Sequence, residues 1–405
     1  MSLIHPIQGL RPTPGHVADV IAPPYDVVGT EEARARAEGR PWSFLHISKP
    51  EIDLPPGTDP HSEAVYERGW ETFRSMREGH VLVRDPAPSL YVYRLIQGGH
   101  IQTGLVGGAS VAAYEDGRIR KHEHTQPEKE DDRVRQIAAL GAQTGPVMLV
   151  HRSHEKLRRA VAAETGSAPQ VDTTFEGVRH QLWAVTDPVR IVRLTRALDG
   201  LDTLYIADGH HRSAAAARVA RERRIAGEGP WNLFLSVTFP EEDLRILPYN
   251  RLVRDLGGRS PREFLVEVGE RFRVSSRDEA VAPDRPRAFG LYLDGSWYEL
   301  RFTATESEDP VARLDVGLLS RHLLEPLLDI HDQHTDPRIE FVGGSRGLGE
   351  LEHRVDSGTM AAAFTLPPTP VAGLLAVADA GEVMPTKSTW FEPKLADGLV
   401  THLIE

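Results

Sequence analysis

Proline and glycine recur so often along this chain that long uninterrupted helices are not expected. The 405 residues include 30 prolines and 35 glycines. Proline fixes φ and lacks an N–H group, and both residue types interrupt regular structure. Two proline-rich segments near the start, "IAPPYDVV" and "IDLPPGTDP", indicate extended or turning backbone. The chain is therefore predicted to fold into many short elements joined by turns.

Short strand and helix patterns alternate along the chain, which predicts a mixed α/β (α+β) fold. Apolar alternation indicates strands at "SLYVYRLI", "GPVMLVH", "TLYIAD" and "WNLFLSVTF". Pro127 before a run of acidic residues indicates a helix start, and Asp294-Gly295 between two alternating runs indicates a hairpin. We predict a larger N-terminal α/β domain over residues 1–255 and a smaller α+β domain over residues 256–405, whose C-terminal tail returns to the site.

Composition excludes several classes of function. The formal charge of −12 argues against a nucleic-acid partner, because such proteins usually carry a basic excess. The absence of cysteine excludes disulfides, thiolate catalysis and cysteine-based metal sites. No apolar run approaches the ~18 residues of a membrane span, and the N-terminus lacks a signal-peptide pattern. The sequence therefore predicts a cytoplasmic protein with small-molecule ligands and no membrane partner, and it leaves a homodimer open.

Charged residues and glycine crowd the junction between the strand "TLYIAD" and the helix after it. A glycine permits a sharp turn and a close ligand approach, and helix-start amides favour an anion. Arginine can grip phosphate in a bidentate manner, and a strand-end aspartate can hold Mg²⁺ or orient a histidine. The alternative is a capping aspartate with both histidines in a solvated first turn. The candidate phosphate site is Asp208, Gly209, His210, His211, Arg212 and Ser213, with Asp208 as the metal ligand.

A second polar segment, "RKHEHTQPEKEDDR", occupies residues 120–133. In extended backbone His122 and His124 share one face, and Glu123 faces the other way. Glu123 is then a candidate general base, and His122 is a candidate donor to a phosphate. The alternative is a charged surface turn that leads into an acidic helix start.

A third polar segment, "MPTKSTWFEPKL", lies at residues 384–395. Its two prolines keep it out of a helix, and lysine, serine and threonine side chains are suited to phosphate contacts. The aromatic pair could stack on a base, or the whole segment could simply anchor the tail. We predict that the three polar segments converge on one cleft. The candidate contacts in this segment are Lys387, Ser388, Thr389 and Lys394.

The D-G-H-H-R sequence between a strand and a helix resembles the phosphate-binding turn of the ParB and sulfiredoxin superfamily, and most closely that of its free-serine kinases. Over almost its full length the chain also resembles a prokaryotic family, domain of unknown function family 1015. That resemblance rests on "IAPPYDVV", "RKHEHTQPEKEDDR", "IADGHHR", "LPYNR" and "MPTKSTWFEPKL". The kinase resemblance covers only five residues, and the catalytic glutamate of those kinases is not assigned to a position here. It implies phosphate binding by Gly209, His210, His211 and Arg212, with Asp208 beside them.

These observations favour a small-molecule phosphotransferase that uses Mg²⁺ and ATP, ADP or pyrophosphate. The resemblance alone implies free L-serine as the acceptor, with O-phosphoserine as the product. Glu123 or Asp208 is expected to activate the hydroxyl, and Lys387 or Lys394 to offset charge on the donor. One alternative is a nucleotide-binding regulatory protein of ParB type. Another is a metal-dependent hydrolase that uses His122, His124, His210 and His211.

Overall fold

The chain folds into two compact units in a computed structural model, which describes residues 2–223, 227–303 and 308–405. Both units combine helices and strands, which confirms the predicted mixed α/β class. None of the described helices has the length and apolarity needed to span a membrane. The two units are Met1–Leu244 with Pro393–Glu405, and Arg245–Glu392.

The division differs from the boundary predicted before residue 256. The first unit ends at Leu244 and takes back the last residues of the chain. The physical reason is strand pairing over a long sequence distance. Thr401–Leu403 pairs with Gly9–Pro12 and with Ala142–Gln143, so the end of the chain completes a sheet of the first unit.

Short strands and helices make up the first unit, as the frequency of proline and glycine predicts. Its strands are β1 (Ile4–His5), β2 (Gly9–Pro12), β3 (Leu82–Arg84), β4 (Leu90–Gln97), β5 (His100–Ser110), β6 (Ile119–Arg120), β7 (Ala142–Gln143), β8 (Val147–His151), β9 (Val171–Phe175), β10 (Val178–Val185), β11 (Leu204–Asp208), β12 (Leu233–Pro240) and, at the chain end, β21 (Thr401–Leu403). Its helices are α1 (Val17–Val20), α2 (Thr30–Ala37), α3 (Leu45–Ser48), α4 (Glu63–Glu78), α5 (Val111–Glu115), α6 (Pro127–Leu140), α7 (Glu155–Glu164), α8 (Pro188–Leu198) and α9 (His210–Arg223).

A large mixed sheet forms the centre of this unit. In the described part of the chain its strands run in the order β6-β11-β8-β12-β5-β4-β10-β9, with β1 paired to β5. Strand β11 is parallel to β6 and antiparallel to β8, while β12 is parallel to β8. A second sheet has the order β3-β2-β21-β7. The strands predicted at "SLYVYRLI", "GPVMLVH", "TLYIAD" and "WNLFLSVTF" are confirmed.

Helix α9 is enclosed on nearly all sides because four consecutive alanines surround its axis. Ala214–Ala217 are all buried, and small side chains allow a neighbouring backbone to approach. Val134 and Ile137 of α6 pack in one apolar cluster with Ala215 and Val219 of α9. Helix α6 begins at Pro127, as predicted, so its packing holds the 120–133 segment beside the start of α9.

The second unit is built on an antiparallel sheet of strand order β15-β17-β16-β19-β14-β18. Ser260 and Glu263 form the reciprocal capping box at the start of a helix, and Asp294-Gly295 closes the predicted hairpin. Its strands are β13 (Ile246–Leu247), β14 (Tyr249–Val253), β15 (Arg273–Arg277), β16 (Ala288–Leu293), β17 (Ser296–Arg301), β18 (Ile339–Gly343), β19 (Ala362–Thr365) and β20 (Trp390–Phe391). Its helices are α10 (Pro261–Gly269), α11 (Asp315–Leu319), which continues through a π-helical turn into α12 (Glu325–Leu328), α13 (Gly349–Asp356) and α14 (Val371–Asp379).

Candidate functional site

The junction between β11 and α9 is a single glycine. Strand β11 ends at Asp208, and the register against β8 shifts between Ile206 and Asp208, an irregularity of the kind that re-aims a side chain. Gly209 has φ of 100°, outside the range of ordinary L-residues. Helix α9 then begins at His210, three residues earlier than the Ser213 start indicated by the alanine pattern. The two histidines and Arg212 therefore belong to the first helical turn.

Substituting Gly209 with alanine is expected to lower the free energy of unfolding by about 1–3 kcal/mol, because a side chain makes that backbone conformation strained. An added Cβ would also lie 3.1 Å from Arg212 Cζ and 3.3 Å from Val147 Cα. Chemical denaturation of the full chain measures the change. The control is Gly117→Ala, where φ is 82° and no atom lies within 4 Å of the Cβ. Equal losses at the two positions would show that crowding against Arg212 contributes nothing.

Two cations converge on the Asp208 carboxylate. Arg212 Nη2 donates to Asp208 Oδ2 at 2.9 Å, and Lys394 Nζ lies 3.8 Å from Asp208 Oδ1. Arg212 Nη2 also lies 3.6 Å from Asp26 Oδ2, and Nη1 donates to the Pro146 carbonyl. Burial alone would raise the pKa of Asp208, but Lys394 and Arg212 outweigh it and hold the pKa well below its usual range. The carboxylate is therefore ionised and fully engaged with cations.

Side chains from three parts of the first unit meet here, although this is not the predicted set, which had the 120–133 segment in place of "IAPPYDVV". Asp26 comes from "IAPPYDVV", Asp208 and Arg212 from the turn, and Lys394 from the tail. Ser213 does not cap the helix: it is completely buried, and its hydroxyl donates to the His210 carbonyl at 3.0 Å. Whether Asp208 holds Mg²⁺ and whether this turn binds phosphate stay predictions.

Asp397 is a buried acid that sequence reasoning missed. Its side chain is 1% exposed, and in the described structure neither carboxylate oxygen has a hydrogen-bond partner. Burial raises the pKa of Asp397 to about 8, although the Arg212 guanidinium opposes that rise. Its backbone exchanges two hydrogen bonds with Ala22, of 3.2 and 2.9 Å, which ties the proline-rich segment to the tail. Its place two residues beyond the "MPTKSTWFEPKL" segment was the only sequence signal.

The histidines of the turn face the 120–133 segment. His211 Nε2 accepts from the Gln126 amide at 3.0 Å, and His210 Nε2 accepts from the His122 amide at 3.4 Å. The rings of His122 and His210 meet edge to face with centroids 4.4 Å apart. Burial lowers the pKa of His122 to about 4 and that of His210 well below its usual value. Both imidazoles are therefore neutral at physiological pH.

Glu123 does not face away from His122, as extended backbone would require. The segment is irregular here, and Glu123 Oε2 lies 3.8 Å from His210 Nδ1. One ligand atom each from His122, Glu123 and His210 lies within 4.8 Å of the others. Glu123 is half-exposed, whereas both histidines are buried, so the carboxylate can reach solvent or a ligand. His124 is exposed and is not a member of this group.

A small pocket in the first unit is lined in part by Arg212. The Arg133 guanidinium covers the Tyr25 ring at 3.9 Å from its centroid, a cation–π contact within the pocket wall. Arg212 Nε is buried and has no hydrogen-bond partner among the described residues. Both arginines are already ion-paired, Arg133 with Asp132 and Arg212 with Asp208. The polar or charged lining residues of the pocket are Tyr25, Arg133, Gln136, Gln143, Thr144 and Arg212.

The lysine–serine–threonine part of the tail belongs to the second unit. There the completely buried Arg251 donates to the carbonyls of Thr386 and Lys387, at 3.3 and 3.1 Å. Lys387 has a positive φ of 54°, and the Ser388 carbonyl accepts from Thr369 Oγ1 at 2.7 Å. Arg251 therefore shapes this loop, a role that its place in "LPYNR" did not reveal. The participation of Lys387, Ser388 and Thr389 in the same cleft as the turn stays a prediction.

Fold and site together define a mixed α/β protein with a charged strand–glycine–helix junction. The chain belongs to the family described as "Protein of unknown function (DUF1015)", whose model matches residues 4–317. This match confirms the resemblance to this family over residues 4–317. The link to the ParB and sulfiredoxin superfamily stays a prediction.

Several solved structures are similar to this chain. A conserved hypothetical protein from Pyrococcus furiosus is 15% identical with a TM-score of 0.36, over 76% of this chain and 98% of that chain. A free serine kinase in complex with AMP is 14% identical with a TM-score of 0.37, over 74% and 91%. SbnI from Staphylococcus aureus, truncated at its C-terminus, is 12% identical with a TM-score of 0.39, over 74% and 87%. No curated protein matches the sequence.

Proposed function

We propose that this protein is a small-molecule phosphotransferase that phosphorylates a hydroxyl group. The observation that carries the proposal is the pairing of Arg212 and Lys394 on Asp208 at the point where α9 begins. Two cations beside the amides of a helix start form the kind of site that binds phosphate groups. The resemblance of the turn to that of free-serine kinases implies free L-serine as the acceptor and O-phosphoserine as the product.

The donor phosphates are assigned to the turn. In this assignment the amides that follow Gly209 bind phosphate oxygens, and Arg212 and Lys394 neutralise charge as the phosphoryl group moves. Asp208 keeps both cations in place before the donor arrives, and it is also the candidate ligand for Mg²⁺. Lys387, Ser388 and Thr389 are further candidate contacts to the donor, which is ATP, ADP or pyrophosphate.

Glu123 is the favoured general base. A general base needs a carboxylate that the substrate can reach, and Glu123 is half-exposed beside His210. Asp208 is the weaker candidate, because its lowered pKa and its two cationic partners reduce its affinity for a proton. The neutral His122 and His210 can donate or accept one hydrogen bond at each ring nitrogen without adding charge.

Isothermal titration with ATP, ADP and pyrophosphate, with and without Mg²⁺, tests the proposal. Lys394→Met is expected to weaken donor binding by roughly 10- to 100-fold, the equivalent of one charge-assisted contact. The matched control is Lys156→Met on the exposed side of α7, which is expected to bind as the parent protein does. A screen of hydroxyl acceptors led by L-serine, followed by ³¹P NMR, then identifies the product.

Absence of binding to all three donors would overturn the phosphotransferase proposal. Donor binding without transfer to any acceptor would instead favour the nucleotide-binding regulatory protein considered from the sequence.

A further inference from the structure

We propose that His122, His210 and Glu123 bind a divalent transition-metal ion of the Zn²⁺, Co²⁺ or Mn²⁺ type. One ligand atom from each of these residues lies within 4.8 Å of the other two. Two imidazole nitrogens and one carboxylate oxygen are a donor set that suits such ions, whereas Mg²⁺ prefers oxygen ligands. The site is distinct from the Asp208 position predicted for Mg²⁺.

The distances are close to those of a bound ion. Two atoms that each lie about 2.1 Å from one tetrahedral metal are roughly 3.4 Å apart. Glu123 Oε2 and His210 Nδ1 are 3.8 Å apart. The longest separation in the group, at most 4.8 Å, requires a small inward movement. The half-exposed Glu123 side chain, at the surface of the group, is suited to make it.

His122 supplies an independent observation. Its side chain is 2% exposed, and in the part of the chain that the structure describes Nδ1 has no hydrogen-bond partner. A buried imidazole nitrogen without a partner is a polar atom that a bound ion would satisfy.

His210 can join the ion through Nδ1. In the absence of metal, Nε2 accepts from the His122 amide at 3.4 Å, so the ring proton lies on Nδ1, on the side of Glu123. Metal binding at Nδ1 moves that proton to Nε2, so the contact with the His122 amide, already at the limit of hydrogen-bonding distance, is lost and the two N–H groups must move apart. The ring stays neutral, so the exchange is a change of tautomer.

Three protein ligands leave a coordination position for water or a substrate oxygen. The nearby Asp208 carboxylate favours a cation here, while Arg212 and His211 oppose it. The evidence for the metal site is the arrangement of His122, Glu123 and His210, and it does not depend on the phosphotransferase proposal. A Glu123 carboxylate bound to the ion cannot also act as the general base, so in the metal-bound form that role falls to Asp208. A role in which the ion contacts the oxygen of a phosphate at the turn rests on the phosphotransferase proposal.

Titration of the chelator-treated full-length protein with Co²⁺ tests the site. One ion per chain is expected, with visible absorption bands typical of mixed nitrogen and oxygen coordination, and Zn²⁺ should displace it. Glu123→Gln, at an exposed position, is expected to weaken Co²⁺ binding by on the order of tenfold or more, and His122→Ala by more. His124→Ala is the matched control and should bind Co²⁺ as the parent does. Circular dichroism verifies that each variant is folded.

Failure to bind Co²⁺ stoichiometrically would overturn the site, as would loss of binding in His124→Ala together with full binding in Glu123→Gln. If His122→Ala does not fold, the pair of Glu123 and His124 variants decides the question. No nucleotide is present in this titration. A failed metal site with intact ATP binding would therefore leave the phosphotransferase proposal standing, and the reverse result would leave the metal site standing.

Discussion

Replacing Arg212 with methionine is expected to lower the free energy of unfolding by about 3 kcal/mol and to abolish detectable binding of ATP, ADP and pyrophosphate. Removing one partner of a buried ion pair typically costs about 3–5 kcal/mol, because the remaining charge stays desolvated. We expect a loss of unfolding free energy at the lower end of this range, since Asp208 is partly exposed and Lys394 Nζ still lies 3.8 Å from its carboxylate. Denaturation of the full chain followed by circular dichroism measures the first effect, and isothermal titration the second.

Arg221→Met is the matched control for this prediction. Arg221 lies on the same helix, is 57% exposed, and pairs with Glu115 at 3.5 Å. A surface ion pair of this kind contributes about 0–1 kcal/mol, so the variant should unfold and bind much as the parent does. If Arg212→Met and Arg221→Met behaved alike, the ion pairs around Arg212 would have no special role in stability or binding.

Asp397→Asn is expected to change how stability depends on pH. The folded pKa of Asp397 is raised to about 8, compared with about 3.9 for an unperturbed aspartate. A raised folded pKa means that the folded state holds the proton more tightly than the unfolded chain does. The associated stability is therefore fully present below about pH 4 and is lost as the pH rises toward 8. The slope approaches about 1.4 kcal/mol per pH unit within this window.

Asparagine cannot ionise, so the variant should not lose stability in this way as the pH rises toward 8. We expect its melting temperature to exceed that of the parent at pH 8.5, by the equivalent of several kcal/mol, and the difference to shrink toward pH 5. Calorimetric melting curves between pH 5 and 9 measure it. The exposed Asp199, changed to asparagine, is the control and should follow the parent at every pH. Parallel profiles for parent and Asp397→Asn would show that the buried carboxyl does not titrate in this range.

The acidic residues around Arg212 affect how a phosphate group would bind there. Asp26, Asp208 and Asp397 all act on the single Arg212 guanidinium, and burial would otherwise lower its pKa. A bound phosphate would compete for the same cation with the carboxylates of Asp26 and Asp208, and also with that of Asp397 above about pH 8. Nucleotide binding is therefore expected to change the surroundings of Asp397, which the pH profile in the presence of ADP can report.

Local signals in the sequence were sufficient for many elements. The Asp294-Gly295 hairpin and the Pro127 start of α6 were both predicted, because each depends on residues within a few positions of one another. The charged strand–glycine–helix junction was likewise visible as a run of five residues. The functional groups of a turn belong to consecutive residues, so they can be read directly from the sequence.

Tertiary structure alone decided which residues surround that turn. The pairing of Asp397 with Ala22 and the return of Thr401–Leu403 to the first unit join positions far apart in sequence, and no local pattern encodes them. The first turn of α9 is polar in sequence but buried in the structure, at His210, Arg212 and Ser213, so an apolar pattern does not mark where the helix begins. The sequence by itself therefore determined the kind of chemistry available at residues 208–212. Packing between distant segments determined which residues contact this turn, how deeply its side chains are buried and in which direction their pKa values are shifted.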